Sequence, residues 1–507
     1  MQKMKMKTKP SRKHKSFFSV MSETFEDFVE NTSIHGFKYI RKVGATEKIF
    51  WTIVLISGLF SAIYMTFLFW ERYITNSTRT TIKTMYAPTT TIQFPAVTIC
   101  NVNGILKDKL NIFLESLNID EHDLPVIRDS FKQLLSFTDP SAVDYNKTQI
   151  DILQDVLDTH HYNVSYVMQK LTQNCSEMFK FCSWNGKQFD CPVLFQESLA
   201  VNGFCCSFNY MPNSELYTLY NGMNTGILAI LNTTPYSEQY SSFNFQGFKV
   251  FIHDPMEYPV LQSITRMVTA GTVTYLQIYA SKMTYSEAVA ALPFTERNCA
   301  IPEERLLKNF PTYTSSNCLA ECEASYYFRK CNCVPYYFNF IGPAQCNVSQ
   351  IDCILEVRKA GLDSSEICDC PIQCEDDFYG VFSTQTKFEF NQNYDMQAYS
   401  NVDINHDTIL LNAFFIEQTQ TVYLRDTIFS TIYLLSSFGG VYSLFLGCSL
   451  ITVIEVIYYG TARLFINLKR FERASEETAR RKTHIATLQF PKLDKSTTMD
   501  FTCTYVP

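Results

Sequence analysis

The chain predicts a membrane protein in which two transmembrane helices flank a large, disulfide-rich α+β ectodomain. Three observations carry that reading. Two apolar segments of membrane length stand near the two ends of the 507-residue sequence. Basic residues crowd outside those segments, whereas the long stretch between them is acidic. Sixteen of the 18 cysteines and six N-x-S/T sequons fall within that stretch.

Residues 1–48 form the N-terminal segment. Its first 15 residues hold seven Lys/Arg and no apolar run, unlike a secretory signal peptide, and residues 1–20 are expected to be unstructured. An amphipathic stretch with Phe25, Phe28 and Val29 follows, then Thr32-Ser33-Ile34-His35-Gly36. A basic tail beside a membrane span sets topology and touches anionic lipid, so no nucleic-acid partner is expected. Residues 49–70 contain 22 residues without a charge. At about 1.5 Å per residue they cross a hydrocarbon core of about 30 Å.

Charge orients the chain. Residues 1–48 carry 11 Lys/Arg and 5 Asp/Glu, net +6. Residues 460–507 carry 9 and 5, net +4. Against −7 for the whole chain, this leaves −17 between them. Basic flanks stay in the cytoplasm. Both termini are therefore expected inside, with residues 71–428 outside.

Cysteine clustering in that outer segment implies disulfides in an oxidising compartment rather than zinc, for which C-x-C is a poor spacing. No metal ligand set is expected. The sequons begin at Asn76, Asn146, Asn163, Asn174, Asn232 and Asn347. Thr80–Asn101 is strand-like. Residues 105–172 show apolar residues at helical spacing, and residues 175–210 form a cysteine-rich patch with short strands. Residues 243–280 turn to β patterning. Cys318 and Cys322 share one face of a predicted helix. Residues 386–424, with Phe388 and Phe390, alternate again. A β core carrying helical lobes follows.

The second span, within residues 429–459, is apolar but interrupted. Ser436, Gly439, Gly440, Ser443, Gly447, Cys448 and Ser449 stand where lipid-facing bulk belongs, and Glu455 lies deeper. Small residues permit close approach or face water, and an intramembrane carboxylate is costly unless it lines a polar path. These features predict the pore-lining helix of a cation channel, although Gly439, Ser443 and Gly447 at intervals of four also suit helix packing. Residues 460–507 form the C-terminal tail, expected to be flexible from about residue 472.

Four stretches, in order over about residues 25–465, resemble the degenerin/epithelial sodium channel superfamily. They are His35-Gly36; the run Phe94 to Asn101; the ladder Cys299, Cys318, Cys322, Cys331, Cys333, Cys346, Cys353, Cys368, Cys370 and Cys374; and Gly439-Gly440 through Gly447-Cys448-Ser449 to Glu455. Cys205-Cys206-Ser207-Phe208-Asn209, the Gly447–Ser449 tripeptide and Tyr313 to Cys318 are most similar to the insect pickpocket branch. The resemblance implies a clenched-hand ectodomain, with a β palm and helical finger and thumb, in a trimer of the same or related subunits. It implies a plasma-membrane, sodium-preferring, amiloride-sensitive channel answering a chemical or mechanical stimulus, with permeant Na+ and no cofactor. Gly447, Cys448 and Ser449 would form the selectivity filter. Ser436, Gly439, Gly440, Ser443 and Glu455 would belong to the pore and gate, and His35 and Gly36 to a gating segment beneath the filter. The implied disulfides are Cys299–Cys374, Cys318–Cys370, Cys322–Cys368, Cys331–Cys353 and Cys333–Cys346, with Cys100–Cys205 and Cys182–Cys191; Cys175–Cys206 follows only by elimination.

Two other readings share the topology: a poreless, glycosylated scavenger-type receptor and an ATP-gated trimeric channel. The first does not require the small-residue stripe or Glu455, and the second does not require the Phe94–Asn101 motif or the cysteine ladder. The sequence contains no G-x-S-x-G, P-loop or H-E-x-x-H pattern, and no enzyme is expected.

Overall fold

The structure is a computed structural model that describes residues 17–42, 44–75, 78–102, 104–139, 143–235, 238–240, 245–340, 342, 344–359, 368–388, 402–428 and 431–489. Asn76, Phe390 and Cys503 lie outside the described residues, as do residues 1–16. The chain divides into two compact units, residues 78–428 and the two chain ends together.

The N-terminal end contributes helices α1 (Phe17–Asn31), α2 (Phe37–Lys42) and α3 (Ala45–Thr75). The third outruns the apolar segment 49–70, because Glu47, Lys48, Glu71 and Arg72 continue the same helix beyond its uncharged stretch.

The ectodomain holds fifteen strands among its described residues. They are β1 (Thr78–Pro88), β2 (Ala96–Asn101), β3 (Ile105–Leu106), β4 (Phe179–Trp184), β5 (Lys187–Phe189), β6 (Phe195–Ala200), β7 (Gly203–Phe208), β8 (Ile227–Asn232), β9 (Gln239–Tyr240), β10 (Gly247–His253), β11 (Ile264–Thr269), β12 (Thr272–Tyr285), β13 (Asp376–Lys387), β14 (Thr408–Phe415) and β15 (Thr419–Thr427). The larger sheet runs β1-β15-β12-β14-β8-β4-β5, with β13 also paired to β12. The smaller runs β11-β10-β2-β7-β6, and β3 pairs with β9. The β12–β14 and β12–β15 pairs are parallel, so this sheet is not a simple meander.

One core lies between the sheets, where Val97, Ile99, Phe208, Val250 and Ile252 meet Ala229, Leu231, Leu276, Ile409 and Leu411. Phe94 anchors it at 0% exposure, with Trp184, Phe208 and Phe415 packed edge-on around its ring. A second core joins helices α4 (Lys107–Ser116), α5 (Leu124–Ser130), α6 (Lys147–Thr159) and α7 (Val164–Leu171) to α8 (Ser315–Cys331) and α9 (Ile351–Lys359). The i, i+3, i+4 apolar positions of these helices, such as Leu110, Phe113 and Leu114, supply its buried face.

Disulfides tie the helical and strand elements together. The bonded pairs are Cys100–Cys205, Cys175–Cys206, Cys182–Cys191, Cys299–Cys374, Cys318–Cys370, Cys322–Cys368, Cys331–Cys353 and Cys333–Cys346. Cys318 and Cys322, one turn apart on α8, take partners from the short segment 368–370, so that segment is stapled along one helix face. Each bridge constrains the unfolded chain by about 2–4 kcal/mol.

The C-terminal end holds α10 (Thr431–Leu446), α11 (Leu450–Tyr458), a π-helical turn at Tyr459–Arg463, and α12 (Leu464–Gln489). Two helical runs are long and apolar enough to cross a bilayer, Ala45–Thr75 and Leu450–Ala474, with Ile432–Leu446 a shorter apolar helix. Helix α12 continues to Gln489, where the sequence predicts a flexible tail. Spacing such as Glu476 before Arg480 supports a helix through a polar stretch, which hydropathy alone does not register.

Candidate functional site

The second span breaks at the predicted tripeptide. Gly447 takes φ +67°, a left-handed conformation that ends α10 and that glycine adopts without steric cost. Its N–H still closes on Ser443 O at 2.9 Å, and the Cys448 N–H reaches Tyr442 O at 3.2 Å. Ser449 then caps the next helix: its Oγ accepts from the Thr452 N–H at 3.4 Å, while its own N–H donates to Thr452 Oγ1 at 3.1 Å. A short extended linker thus joins two half-helices, as glycine followed by a serine cap predicts.

The Thr32–Gly36 segment folds back onto this break. The His35 N–H donates to Leu446 O at 2.9 Å. The His35 imidazole fills the space that a side chain at Gly447 would need: a Cβ there would stand 2.5 Å from His35 Cδ2. Gly36 turns the chain at φ +85°, and a Cβ on it would meet Leu55 at 3.1 Å. Backbone conformation favours glycine at both positions, and at Gly447 close approach requires it as well.

Glu455 anchors the same segment. Its Oε2 accepts from the Ser33 N–H at 3.1 Å, from Ser33 Oγ at 3.1 Å and from Thr32 Oγ1 at 3.4 Å. Ser33 Oγ also lies 2.8 Å from Thr452 Oγ1, so Thr452 links the cap at Ser449 to the Thr32–Gly36 segment. Hydrogen bonds to a carboxylate are the stronger kind. About two turns further along, Arg463 Nε and Nη2 grip Asp27 Oδ2 at 2.9 and 2.8 Å, and Asn467 donates to Thr24 at 3.0 Å. Helix α1 is thereby fastened to the end of the second span. The Gly447 break, His35 and Glu455 consequently form one connected structure.

Ser436, Gly439, Gly440 and Ser443 fall on one face of α10 and are exposed. A Cβ on Gly439 or Gly440 would meet nothing within 4 Å. The opposite face carries Val441, Tyr442 and Phe445; there Thr66 Oγ1 lies 3.4 Å from the Tyr442 hydroxyl and Gly58 lets α3 approach Phe445 O. The small-residue stripe is thus left open by the chain's own first span. Cys448, half-buried, is the free thiol of the described residues.

The ectodomain presents other chemistry. Of the sequons, Asn146, Asn163, Asn174 and Asn347 are exposed and Asn232 is half-buried. Asn146 and Asn163 cap α6 and α7 through Oδ1, which accepts from the N–H of Gln149 and Tyr166. Burial raises three carboxyls, Asp254 to about 6, Glu257 to about 7 and Asp376 to about 8, with a further push from Asp377 on Asp254, from Asp254 on Glu257 and from Glu257 on Asp376. Burial also raises Asp377, against the pull of Lys282 at 3.5 Å. Among the described residues, no group of three or more His, Cys, Asp or Glu side chains is arranged to hold a metal ion.

Sequence reasoning singled out His35, Gly36, Gly447 and Glu455 but not their joinery. Thr32, Ser33 and Thr452 connect them, and Asp27 with Arg463 supports them. The only local signal was the Ser449-x-x-Thr452 spacing of a helix cap.

A family model described as amiloride-sensitive sodium channel matches residues 28–459. The chain is similar to the sodium channel protein Nach of Drosophila ananassae, 26% identical over 452 residues that cover 87% of this chain and 86% of that protein. It is also similar to pickpocket protein 28 of Drosophila melanogaster, 23% identical over 86% of this chain and 78% of that protein. The bile acid-sensitive ion channel of Mus musculus is 25% identical, over 86% of each chain.

Proposed function

We propose, because this chain belongs to the amiloride-sensitive sodium channel family, that it is one subunit of a trimeric, sodium-preferring, amiloride-sensitive channel of the plasma membrane. Two further subunits, identical or related, complete the pore. The family's members are ion channels, not enzymes. Both termini lie in the cytoplasm and residues 78–428 face outward, where Asn146, Asn163, Asn174, Asn232 and Asn347 carry glycans. The channel serves a sensory role, opened by a chemical or mechanical stimulus.

In this reading, Gly447, Cys448 and Ser449 of three chains form the filter, and the carbonyl groups freed at Gly447 and Cys448 replace part of the hydration shell of Na+, while Ser449 O is held by the Val453 N–H at 3.3 Å. Non-helical backbone at membrane depth is tolerated where it lines a water-filled lumen. The exposed stripe of Ser436, Gly439, Gly440 and Ser443 faces the pore, and the gate closes by close approach of Ser436 and its symmetry mates. Glu455 contributes negative charge below the filter while holding the gating segment. The observation that carries this reading is the break at Gly447 with His35 seated directly against it. A poreless receptor has no need of that arrangement.

The test is voltage clamp of cells expressing Ser436→Val, with surface delivery measured and amiloride added. A standing, amiloride-blocked sodium current absent from the native chain is expected, because a bulkier side chain prevents closure. Surface-delivered protein that stays silent with related subunits co-expressed would favour the poreless receptor.

A further inference from the structure

We propose that the Thr452 hydroxyl is a positioning group: held by the docked Thr32–Gly36 segment, it aims the Cys448 carbonyl and thereby sets how well the filter separates sodium from potassium. The role in selectivity rests on the channel reading. The hydrogen-bond chain behind it does not, and the two are tested by different readouts.

Thr452 is 2% exposed and stands in the first turn of α11, three residues after the cap Ser449. A threonine inside a helix commonly turns its hydroxyl back to the carbonyl four residues earlier. Thr66 and Thr461 do so, at 2.8 and 2.6 Å. Thr452 turns toward the break instead. Its Oγ1 lies 3.1 Å from the Ser449 nitrogen and 2.8 Å from Ser33 Oγ. One hydroxyl therefore touches both the break in the second span and the segment docked against it.

Counting protons gives this chain a direction. The Glu455 carboxylate only accepts, and a serine hydroxyl has one proton to place. Ser33 Oγ lies 3.1 Å from Glu455 Oε2 and 2.8 Å from Thr452 Oγ1. The charged oxygen is the stronger acceptor, so it takes the Ser33 proton. Thr452 must then donate to Ser33, and its oxygen is left as an acceptor for the Ser449 N–H. Every bond from Ser449 through Thr452 and Ser33 points toward Glu455, so each polarises the next.

The end of the chain bears on the filter. The Ser449 N–H and the Cys448 carbonyl belong to one planar trans peptide and point in opposite directions. Holding that N–H on Thr452 fixes where the Cys448 carbonyl points. Withdrawal of the Thr32–Gly36 segment removes Ser33 as the acceptor for the Thr452 proton. The hydroxyl is then free to rotate, its lone pair leaves the Ser449 N–H, and the peptide is released.

Full-length Thr452→Val, Thr452→Ser and Ser33→Ala chains test this, with surface delivery measured for each. The first readout needs no current. It is the rate at which N-ethylmaleimide alkylates the native Cys448 thiol in membranes, read by mass spectrometry on the peptide that carries it. Thr452→Val keeps the shape but loses the hydroxyl, and should speed alkylation about fivefold, the worth of one hydrogen bond. Ser33→Ala removes the same bond from its other side and should act in the same direction, with little added when the two are combined. Thr452→Ser keeps the hydroxyl and should stay near the native rate. Packing alone predicts the reverse ranking, because serine loses a methyl group and valine does not. The second readout is the sodium-to-potassium permeability ratio in a Ser436→Val background, which should fall about threefold in Thr452→Val and recover in Thr452→Ser. Unchanged alkylation in surface-delivered Thr452→Val or Ser33→Ala overturns the proposal, as does Thr452→Ser behaving like Thr452→Val. Faster alkylation with an unaltered permeability ratio overturns the selectivity role. A Ser436→Val chain that passes no current counts against the channel reading, and the alkylation rates then decide the hydrogen-bond chain by themselves.

Discussion

Alanine at Gly447 would strike the break in the second span and the segment beneath it together. The new Cβ would stand 2.5 Å from His35 Cδ2 and 2.6 Å from its Cγ and Nε2. That is about 1 Å inside ordinary carbon contact distance. The φ of +67° adds about 1–2 kcal/mol for any L-residue. The imidazole cannot simply withdraw, because the His35 N–H is tied to Leu446 O and Gly36 is wedged against Leu55. Displacing His35 forfeits that backbone hydrogen bond, about 0.5–1.5 kcal/mol, and loosens the bonds to Glu455. The docked arrangement should lose about 3 kcal/mol, a shift of roughly a hundredfold in its population. The assay is the rate at which a cytosolic thiol reagent modifies Ile34→Cys, with sodium selectivity recorded from the same patches. Gly447→Ala should speed modification strongly and degrade selectivity. Adding His35→Ala removes the steric part and leaves the backbone part, so protection of Ile34→Cys should partly return, a non-additive cycle. Native selectivity and protection in Gly447→Ala, or no recovery in the double variant, would refute the reasoning.

Glu455→Gln keeps the shape but loses the charge that strengthens the bonds from Thr32 and Ser33, costing about 1–2 kcal/mol; modification of Ile34→Cys should accelerate roughly tenfold in the same assay. The ectodomain should be more stable in acid than in alkali. Asp254, Glu257 and Asp376 have folded-state values raised to about 6, 7 and 8, so the stability they contribute is present below their unfolded values near 4 and is lost as pH rises through about 6 to 8. The melting temperature of the purified chain should fall between pH 5 and pH 9, and Asp376→Asn should flatten that slope; a slope unchanged by Asp376→Asn would exclude the carboxyl as its source. Replacing Cys322 and Cys368 together by serine should cost about 2–4 kcal/mol in denaturant unfolding while leaving the adjacent Cys318–Cys370 bridge detectable by non-reducing peptide mapping.

Local pattern was enough for much of this molecule. Uncharged runs of membrane length, alternation in β2, β10 and β12, and helical spacing in α4 and α6 depend on each residue's own chemistry and on neighbours a few positions away. Glycine at 447 followed by serine at 449 likewise carries a helix stop and restart in its own preferences. The helical tail to Gln489 was not legible in this way, because charge spacing carries it through a stretch whose polarity reads as a flexible tail. Similarity to a known family supplied what spacing could not, namely which cysteines to pair and which small residues to place at a pore.

The sequence by itself determined the two-span architecture, the acidic cysteine-rich ectodomain and the position of the break, since hydropathy, net charge and backbone preference are properties of short segments. Only the tertiary structure decided that Glu455 meets Ser33 across 422 residues of chain, and that His35 sits where a side chain at Gly447 would be. Such contacts require the intervening chain to close on itself, and the interactions that reward closure are spread through the fold rather than written near either partner.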